Sequence, residues 1–480
     1  MAIFSFLLTS CMVPALLAKS THQPHHFKDG KGSIEHGKSG EKLTFAYLEF
    51  DDQGQLWRSP YPENQSDRTE STQLESLLKE LKLQVSKGPV RTIIYIHGWN
   101  DNAGTRGSLK KFQSSLKEIA KVSNKPVFGV HVGWRGRVMK FPIFIDIASR
   151  EAAADRIGRA SMVASLRAIS AASHRNPRST VTMVGHSFGA RILDQAACAI
   201  LADQIGKSLG SSSGNQMEDF KPAADTIILA NTAESASLPL QIVNLMRDNG
   251  IRYTNSKNGR DLPLVVAITS SADKATGQLL PYWNRIAKRV LGLPNKSGRS
   301  SSPLQHDAMT RAMGFYPPLH SHVLMEGRNG ETPANGKKVK WSANMCSWEE
   351  LLKENNRLGK RVPLATGSNP VELWLSLTPD GNLYNYNEYN IRQITQKDFE
   401  ANLNKGIFKK KREIPRNQTP FWFLQVPPFV CSGHGDLWNP NFTGLVTAVE
   451  AMNRPVGTVS GKASVHGIES NTSLTPPPPE

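Results

Sequence analysis

The chain of 480 residues is 39% hydrophobic and carries a formal net charge of +17. That length and apolar content suffice for a large core, which excludes a wholly disordered chain and predicts one main domain with embellishments. No stretch approaches the roughly 20 consecutive apolar residues that span a bilayer as a helix, and Cys11, Cys198, Cys346 and Cys431 are too far apart for a zinc-type pair or a disulfide framework.

Met1 to Ala18 is apolar throughout and precedes the polar segment Lys19 to Lys42, the pattern of a secretory signal ahead of a linker. Within it, Leu8-Thr9-Ser10-Cys11 resembles a lipobox, which would lipidate Cys11 and hold an exported protein at the cell envelope. The absence of a preceding Lys or Arg and the short lead weigh against lipidation; a plain apolar terminus, with the protein cytoplasmic, is the alternative. His22, His25, His26 and His36 lie among Lys, Gly and Ser and read as linker rather than metal ligands.

Folded structure is expected from Leu43, where LTFAYLEF, the turn residues Asp51 to Gly54 and QLW spell an opening hairpin. Apolar β-branched runs then alternate with helical patterns: strand Val90 to Ile96, helix Ser108 to Val122, strand Pro126 to Val132, and one long Ala-rich helix Ile147 to Ala172. The series continues with strand Thr180 to Val184, helix Phe188 to Ala202, strand Asp225 to Leu229, a helix around Leu240 to Met246, and strand Leu262 to Thr269. Such alternation specifies an α/β protein with a mainly parallel central sheet flanked by helices. A Pro-, Gly-, Asn- and Lys-rich insertion, about 278–418, separates this series from a last strand, Phe421 to Val426, and a helix, Phe442 to Met452. It is too long for a structureless loop and is expected to form a subdomain that leaves and returns at the carboxyl end of the sheet. The domain is therefore 43–452, followed by a Pro-rich tail, 453–480.

The positive charge favours acidic partners, an anionic membrane surface among them. The run Lys409-Lys410-Lys411-Arg412 has no aromatic interleaving and no nucleic-acid motif beside it, so no nucleic-acid partner is expected.

GxSxG occurs twice, at Gly185 to Gly189 around Ser187 and at Gly210 to Gly214 around Ser212. By chance alone the pattern arises in roughly one chain of this length in six, so context must decide. A nucleophile elbow is a sharp strand-to-helix turn. Thr180 to Val184 supplies the strand before Gly185, and Ile192, Leu193, Ala196, Ala197 and Ile200 supply a helical stripe after Gly189; the second match has neither flank. Ser187 is the candidate nucleophile. His186 beside it points elsewhere on such a turn and reads as structural.

Acyl transfer also needs two backbone donors where the carbonyl oxygen becomes negative. Phe188, directly after the nucleophile, is one candidate, and Trp99, in the His97-Gly98-Trp99 turn after a strand ending at Ile96, is the other.

The arrangement resembles the α/β-hydrolase superfamily, of serine esterase and lipase type, and more narrowly a bacterial subgroup of it. The resemblance rests on HGW after Ile96, VGWRG at Val132 to Gly136, GHSFG at Gly185 to Gly189, TSSADKATG at Thr269 to Gly277 and SGHGDLWNP at Ser432 to Pro440. It implies the α/β-hydrolase fold over roughly Leu43 to Met452, with nucleophile, acid and histidine in that chain order. The long insertion departs from a minimal member.

The acid should stand in a loop at a strand end. Asp273, after the strand to Thr269, is the first choice and Glu234, after the strand to Leu229, the second. Among the histidines beyond Asp273, His434 lies between the last strand and the last helix and is the candidate base; His322, in the insertion, is its rival. These residues predict a serine hydrolase acting on a small-molecule or lipid ester, or a related acyl compound, with no cofactor and no metal. An acyltransferase on the same scaffold and a non-catalytic, envelope-associated binding protein are the alternatives.

Overall fold

The structure, a computed structural model, describes residues 25–26, 34–38, 40–57, 73–104, 106–139, 143–210, 223–249, 251, 253, 263–290, 308–316, 319, 322–323, 361–364, 371–374, 420–426, 428 and 430–452. The apolar segment with Cys11, the Lys409 to Arg412 run, Ser212 and the tail lie outside these residues.

An edge strand β1 (Ile34–His36) leads into β2 (Leu43–Glu49), α1 (Gln73–Lys87), β3 (Arg91–Ile96), α2 (Arg106–Val122) and β4 (Val127–Gly133). Helices α3 (Ile143–Ile157) and α4 (Ala160–Ser173) precede β5 (Thr180–His186), α5 (Phe188–Gly210), β6 (Thr226–Ala230), α6 (Ser237–Asp248) and β7 (Val265–Ser270). A π-helical turn, Ala275–Leu279, runs into α7 (Leu280–Val290); the short strands β8 (His322–Val323), β9 (Arg361–Leu364) and β10 (Val371–Trp374) then precede β11 (Phe421–Val426) and α8 (Pro440–Met452). Among the described residues nine strands form one sheet in the order β1-β2-β4-β3-β5-β6-β7-β11-β8, and β9 pairs with β10 apart from it. Every neighbour in the large sheet is parallel except β1 with β2. The protein is thus a mixed α/β fold with a mainly parallel sheet, as the alternation of elements predicts.

Parallel strands covered on both faces need apolar side chains on both, which accounts for their near-continuous Val and Ile runs. On one face Ile94, Ile96, Phe128, Val130, Met183, Leu229 and Ala267 pack with α1 and α3 to α6. On the other, Ile93, Tyr95, Val127, Val184, Ile228 and Val266 pack with Phe112 and Leu116 of α2 and Phe442 and Leu445 of α8. Alternation along each strand separates the two cores. At the amino end of the sheet Arg91 donates through Nε to Glu450 of α8 at 3.0 Å, both side chains 1% exposed, so this ion pair ties the last helix to the sheet where water is excluded.

Several expectations need correction. The long helix Ile147 to Ala172 is broken at Gly158 and Arg159, where Arg159 leaves helical geometry (φ −96°, ψ −140°) and Gly158 lies so close to α5 that a Cβ there would meet Ile192 O at 2.8 Å. The opening hairpin reduces to one antiparallel bridge, Phe50 to Leu56, since β2 takes β4 as its parallel partner instead. Helix α1 adds to the expected series of elements; Leu77, Leu81 and Val85 repeat at helical spacing and are its buried stripe. Part of the expected linker is ordered by contacts: His36 belongs to β1, the amides of His25 and His26 donate to the Glu49 carboxylate at 2.8 and 3.0 Å, and the His26 ring stacks on Tyr47. The insertion leaves beyond the carboxyl end of β7, and its segment 308–316 packs on the loop after β6: Ala236 N–H donates to Arg311 O and Met313 N–H to Glu234 O. It does not return there. Because β11 runs parallel to β7, with Phe421 opposite Val265 and Val426 opposite Ser270, the chain re-enters at the amino end.

His131 in β4 is fully buried between His97, Tyr47, Tyr95 and Phe112, and neither ring nitrogen has a hydrogen-bond partner among the described residues. Burial, with the neighbouring His97 and His26, pushes its pKa well below the usual histidine value. The unfolded chain therefore takes up a proton first as pH falls below about 6.5, so stability is full above that value and declines beneath it. Between pH 6 and 5 the unfolding free energy of the wild type is expected to fall by about 1 kcal/mol more than that of His131→Phe, as read by urea titration at each pH. Parallel pH dependences for the two proteins would contradict this account.

Candidate active site

Strand β5 ends at His186 and α5 begins at Phe188, which leaves Ser187 in the turn with a φ of 55°. A non-glycine residue in this left-handed region costs of order 1–3 kcal/mol and persists only where its surroundings hold it. Here the Ser187 amide donates to Ala230 O at 3.0 Å, and its carbonyl accepts from the amides of Arg191 at 3.0 Å and Ala233 at 3.2 Å. The helix starts so close to the preceding strands that a Cβ on Gly189 would lie 2.2 Å from Ile96 O, and one on Gly98 would lie 2.8 Å from Ser187 Cβ. Glycine is required at both positions by space alone.

His434 closes on this turn from the β11–α8 loop. Its Nε2 is 2.8 Å from Ser187 Oγ, and its Nδ1 is 3.0 Å from Asp273 Oδ2. Asp273, 2% exposed, follows β7; its Oδ1 accepts from the amides of Ala275 and Thr276, and Oδ2 accepts from the Thr276 hydroxyl. Burial would raise this carboxyl pKa, but the hydrogen bond and charge of His434 and the Thr276 contacts outweigh it and hold the group below its ordinary value of 3.8. An ionised carboxylate only accepts, so Nδ1 of His434 carries the proton and Nε2 presents its lone pair to the serine hydroxyl.

The His97-Gly98-Trp99 turn sits against the same serine. His97 is buried and burial lowers its pKa; its Nε2 accepts the Trp134 amide at 3.1 Å, so Nδ1–H donates to Gly98 O at 3.0 Å. Trp99 is anchored through Nε1 to Asp146 at 2.7 Å. Neither the Trp99 nor the Phe188 amide donates to a protein acceptor among the described residues.

The alternatives are placed elsewhere. Glu234 is engaged with Arg191, Gln195 and the Ser235 amide, a buried knot that joins β6's carboxyl end to α5. His322 lies in β8 on the sheet's outer edge, opposite Leu424. Two residues near the histidine were missed by sequence reasoning or assigned no task. His186 Nε2 lies 2.7 Å from His434 O, and Asn231, at φ 45° just beyond β6, reaches the same carbonyl at 3.0 Å. The signal for Asn231 was its place at a strand end, where a polar residue tolerant of the left-handed region turns the chain. Cys431 is buried, its thiol pushed up to about 11 by burial, and its Sγ lies 3.1 Å from Gly433 O and 3.0 Å from Asp436 O, between which its single S–H is shared. Among the described residues no cluster of three or more His, Cys, Asp or Glu could hold a metal, and no helix is long and apolar enough to cross a membrane.

Fold and site together define a class of arrangement: a parallel α/β sheet that presents a serine, a histidine and an aspartate, hydrogen-bonded in series, from three loops at its carboxyl end. No protein-family model and no curated protein matches the chain.

Proposed function

We propose that this protein is a serine hydrolase of the α/β-hydrolase fold that cleaves a carboxylic ester or related acyl compound through an acyl-enzyme on Ser187. The observation that carries the reading is the unbroken series Ser187 Oγ, His434 Nε2, His434 Nδ1 and Asp273 Oδ2, with spacings of 2.8 and 3.0 Å. Chain order adds support: serine after β5, acid after β7 and histidine after β11 follow the Ser, Asp, His order of such enzymes.

In this mechanism Ser187 Oγ attacks the acyl carbon while its proton passes to His434 Nε2. The carbonyl oxygen, now negative, is held by the amides of Trp99 and Phe188. His434 returns the proton to the leaving alkoxide and the acyl group remains on Ser187; water then attacks it as His434 again accepts a proton, which passes to Ser187 Oγ as the acyl–Oγ bond breaks and the carboxylic acid leaves. Asp273 holds the ring in the required tautomer and stabilises its cation.

A fluorophosphonate probe tests the reading. Wild type is expected to be labelled at Ser187, located by peptide mass spectrometry, and to hydrolyse p-nitrophenyl esters, with acyl preference read from a chain-length series. Ser187→Ala is expected to lose both properties and keep the fold, whereas Ser212→Ala keeps both. Equal turnover by wild type and Ser187→Ala would remove the basis for an enzyme.

A further inference from the structure

We infer that Asn231 is a positioning residue that locks the loops of His434 and Asp273 in register, with His186 as a second donor to the same carbonyl. The inference rests on the serine-hydrolase reading of the site.

Asn231 is 1% exposed and has a φ of 45°, a conformation that asparagine tolerates far better than a branched side chain. Its main-chain N–H donates to Ile268 O of β7 at 2.8 Å. Its side chain then faces two ways. Oδ1 accepts the Ser270 amide at 2.9 Å, at the end of the strand that leads to Asp273. Nδ2 donates to Gly433 O at 3.2 Å and His434 O at 3.0 Å, with Cys431 Sγ 3.4 Å away. One amide thus spans the acid loop and the base loop, and only an amide supplies the acceptor and the donors on the required sides.

The nucleophile turn joins the same node. Burial and the adjacent His434 depress the His186 pKa to about 3, so the ring is neutral, and its Nε2–H donates to His434 O at 2.7 Å. The Ser270 hydroxyl adds a further clamp by donating to Cys431 O at 2.5 Å, and the Asp273 amide donates to Ser270 O at 3.1 Å. The Ser187 turn and the His434 loop therefore meet at one carbonyl oxygen, and Asn231, which donates to that oxygen, also holds the strand end that leads to Asp273. A hydrogen-bond series through an imidazole needs both ring nitrogens aligned at once, and a shift of about 1 Å at such a centre costs on the order of 10²-fold in rate. Without its two donors the His434 carbonyl would also be left unsatisfied in a half-buried site.

The test uses the full chain and three variants. In Asn231→Asp the shape is kept but a carboxylate faces two carbonyl oxygens; kcat is expected to fall about 10²-fold with KM little changed. The rising limb of its kcat/KM profile is expected to move to higher pH, because a negative charge beside the histidine favours the protonated ring. His186→Ala is expected to lower kcat about tenfold and His186→Gln, which can place an N–H in the same region, to recover most of it. Thermal melting and the rate of fluorophosphonate labelling per folded molecule are measured alongside. A folded Asn231→Asp with wild-type kcat and pH profile overturns the inference, as does a loss that only tracks the folded fraction, or His186→Gln no better than His186→Ala. A wild type that neither labels nor hydrolyses esters sinks the underlying reading, and this inference with it, before any variant is compared.

Discussion

Replacing His434 by alanine is expected to lower turnover by about 10⁴- to 10⁶-fold, with little change in stability. The size of the effect follows from what the ring does twice in each cycle, accepting the serine proton and returning it to the leaving group. No other described side chain is hydrogen-bonded to Ser187 Oγ in a position to substitute for it. Stability is spared because the His434 side chain is 28% exposed and the loop around it is held by its main-chain carbonyl, which alanine retains. His322→Ala, on the sheet's outer edge, is expected to alter substrate affinity at most. Steady-state kinetics on a p-nitrophenyl ester, with a melting curve for each variant, decides it. A nearly normal His434→Ala beside an inactive His322→Ala would reverse the assignment of the base.

Asp273→Asn is expected to cost about 10⁴-fold in kcat while leaving shape and volume unchanged. The loss arises from the tautomer. Asp273 Oδ2 can only accept, and so keeps the proton on His434 Nδ1. An asparagine amide can rotate its NH₂ toward that nitrogen, which then becomes the acceptor, and the proton moves to Nε2 where the serine hydroxyl needs a lone pair. The carboxylate also balances the imidazolium that forms during attack, and its depressed pKa keeps it charged at any pH where the histidine can act as a base. Glu234→Gln is the control: it removes one charge from the Arg191 knot, where Asp155 and Glu151 still hold the guanidinium, and is expected to leave kcat near wild type. Similar kcat values for Asp273→Asn and wild type, or a larger loss in Glu234→Gln, would transfer the role of the acid.

The alternation of β-branched runs with helical patterns was enough to read a mainly parallel α/β sheet, because strands buried on both faces must be apolar throughout. It was also enough to place Ser187 in its turn: a strand, two glycines and a helical stripe at fixed offsets are local properties. Asp273 and His434 were legible for a related reason, since each stands just after an apolar strand. The break between α3 and α4 was not legible, because the close approach of Gly158 to Ile192 of α5 that accompanies it is a contact between segments distant in the chain. Helix α1 carries a local signal, the Leu77, Leu81 and Val85 stripe, set within a charged stretch that masks it.

The direction in which β11 enters the sheet depends on its pairing with β7, which no local pattern encodes. Strand order likewise put His322 in the outer edge strand and enclosed Glu234 with Arg191. The convergence of Asn231 and His186 on one carbonyl was invisible from the sequence for the same reason. Local chemistry set each loop's conformation at a strand end, whereas the order and register of β5, β6, β7 and β11, fixed by hydrogen bonds between distant segments, decided which loops meet.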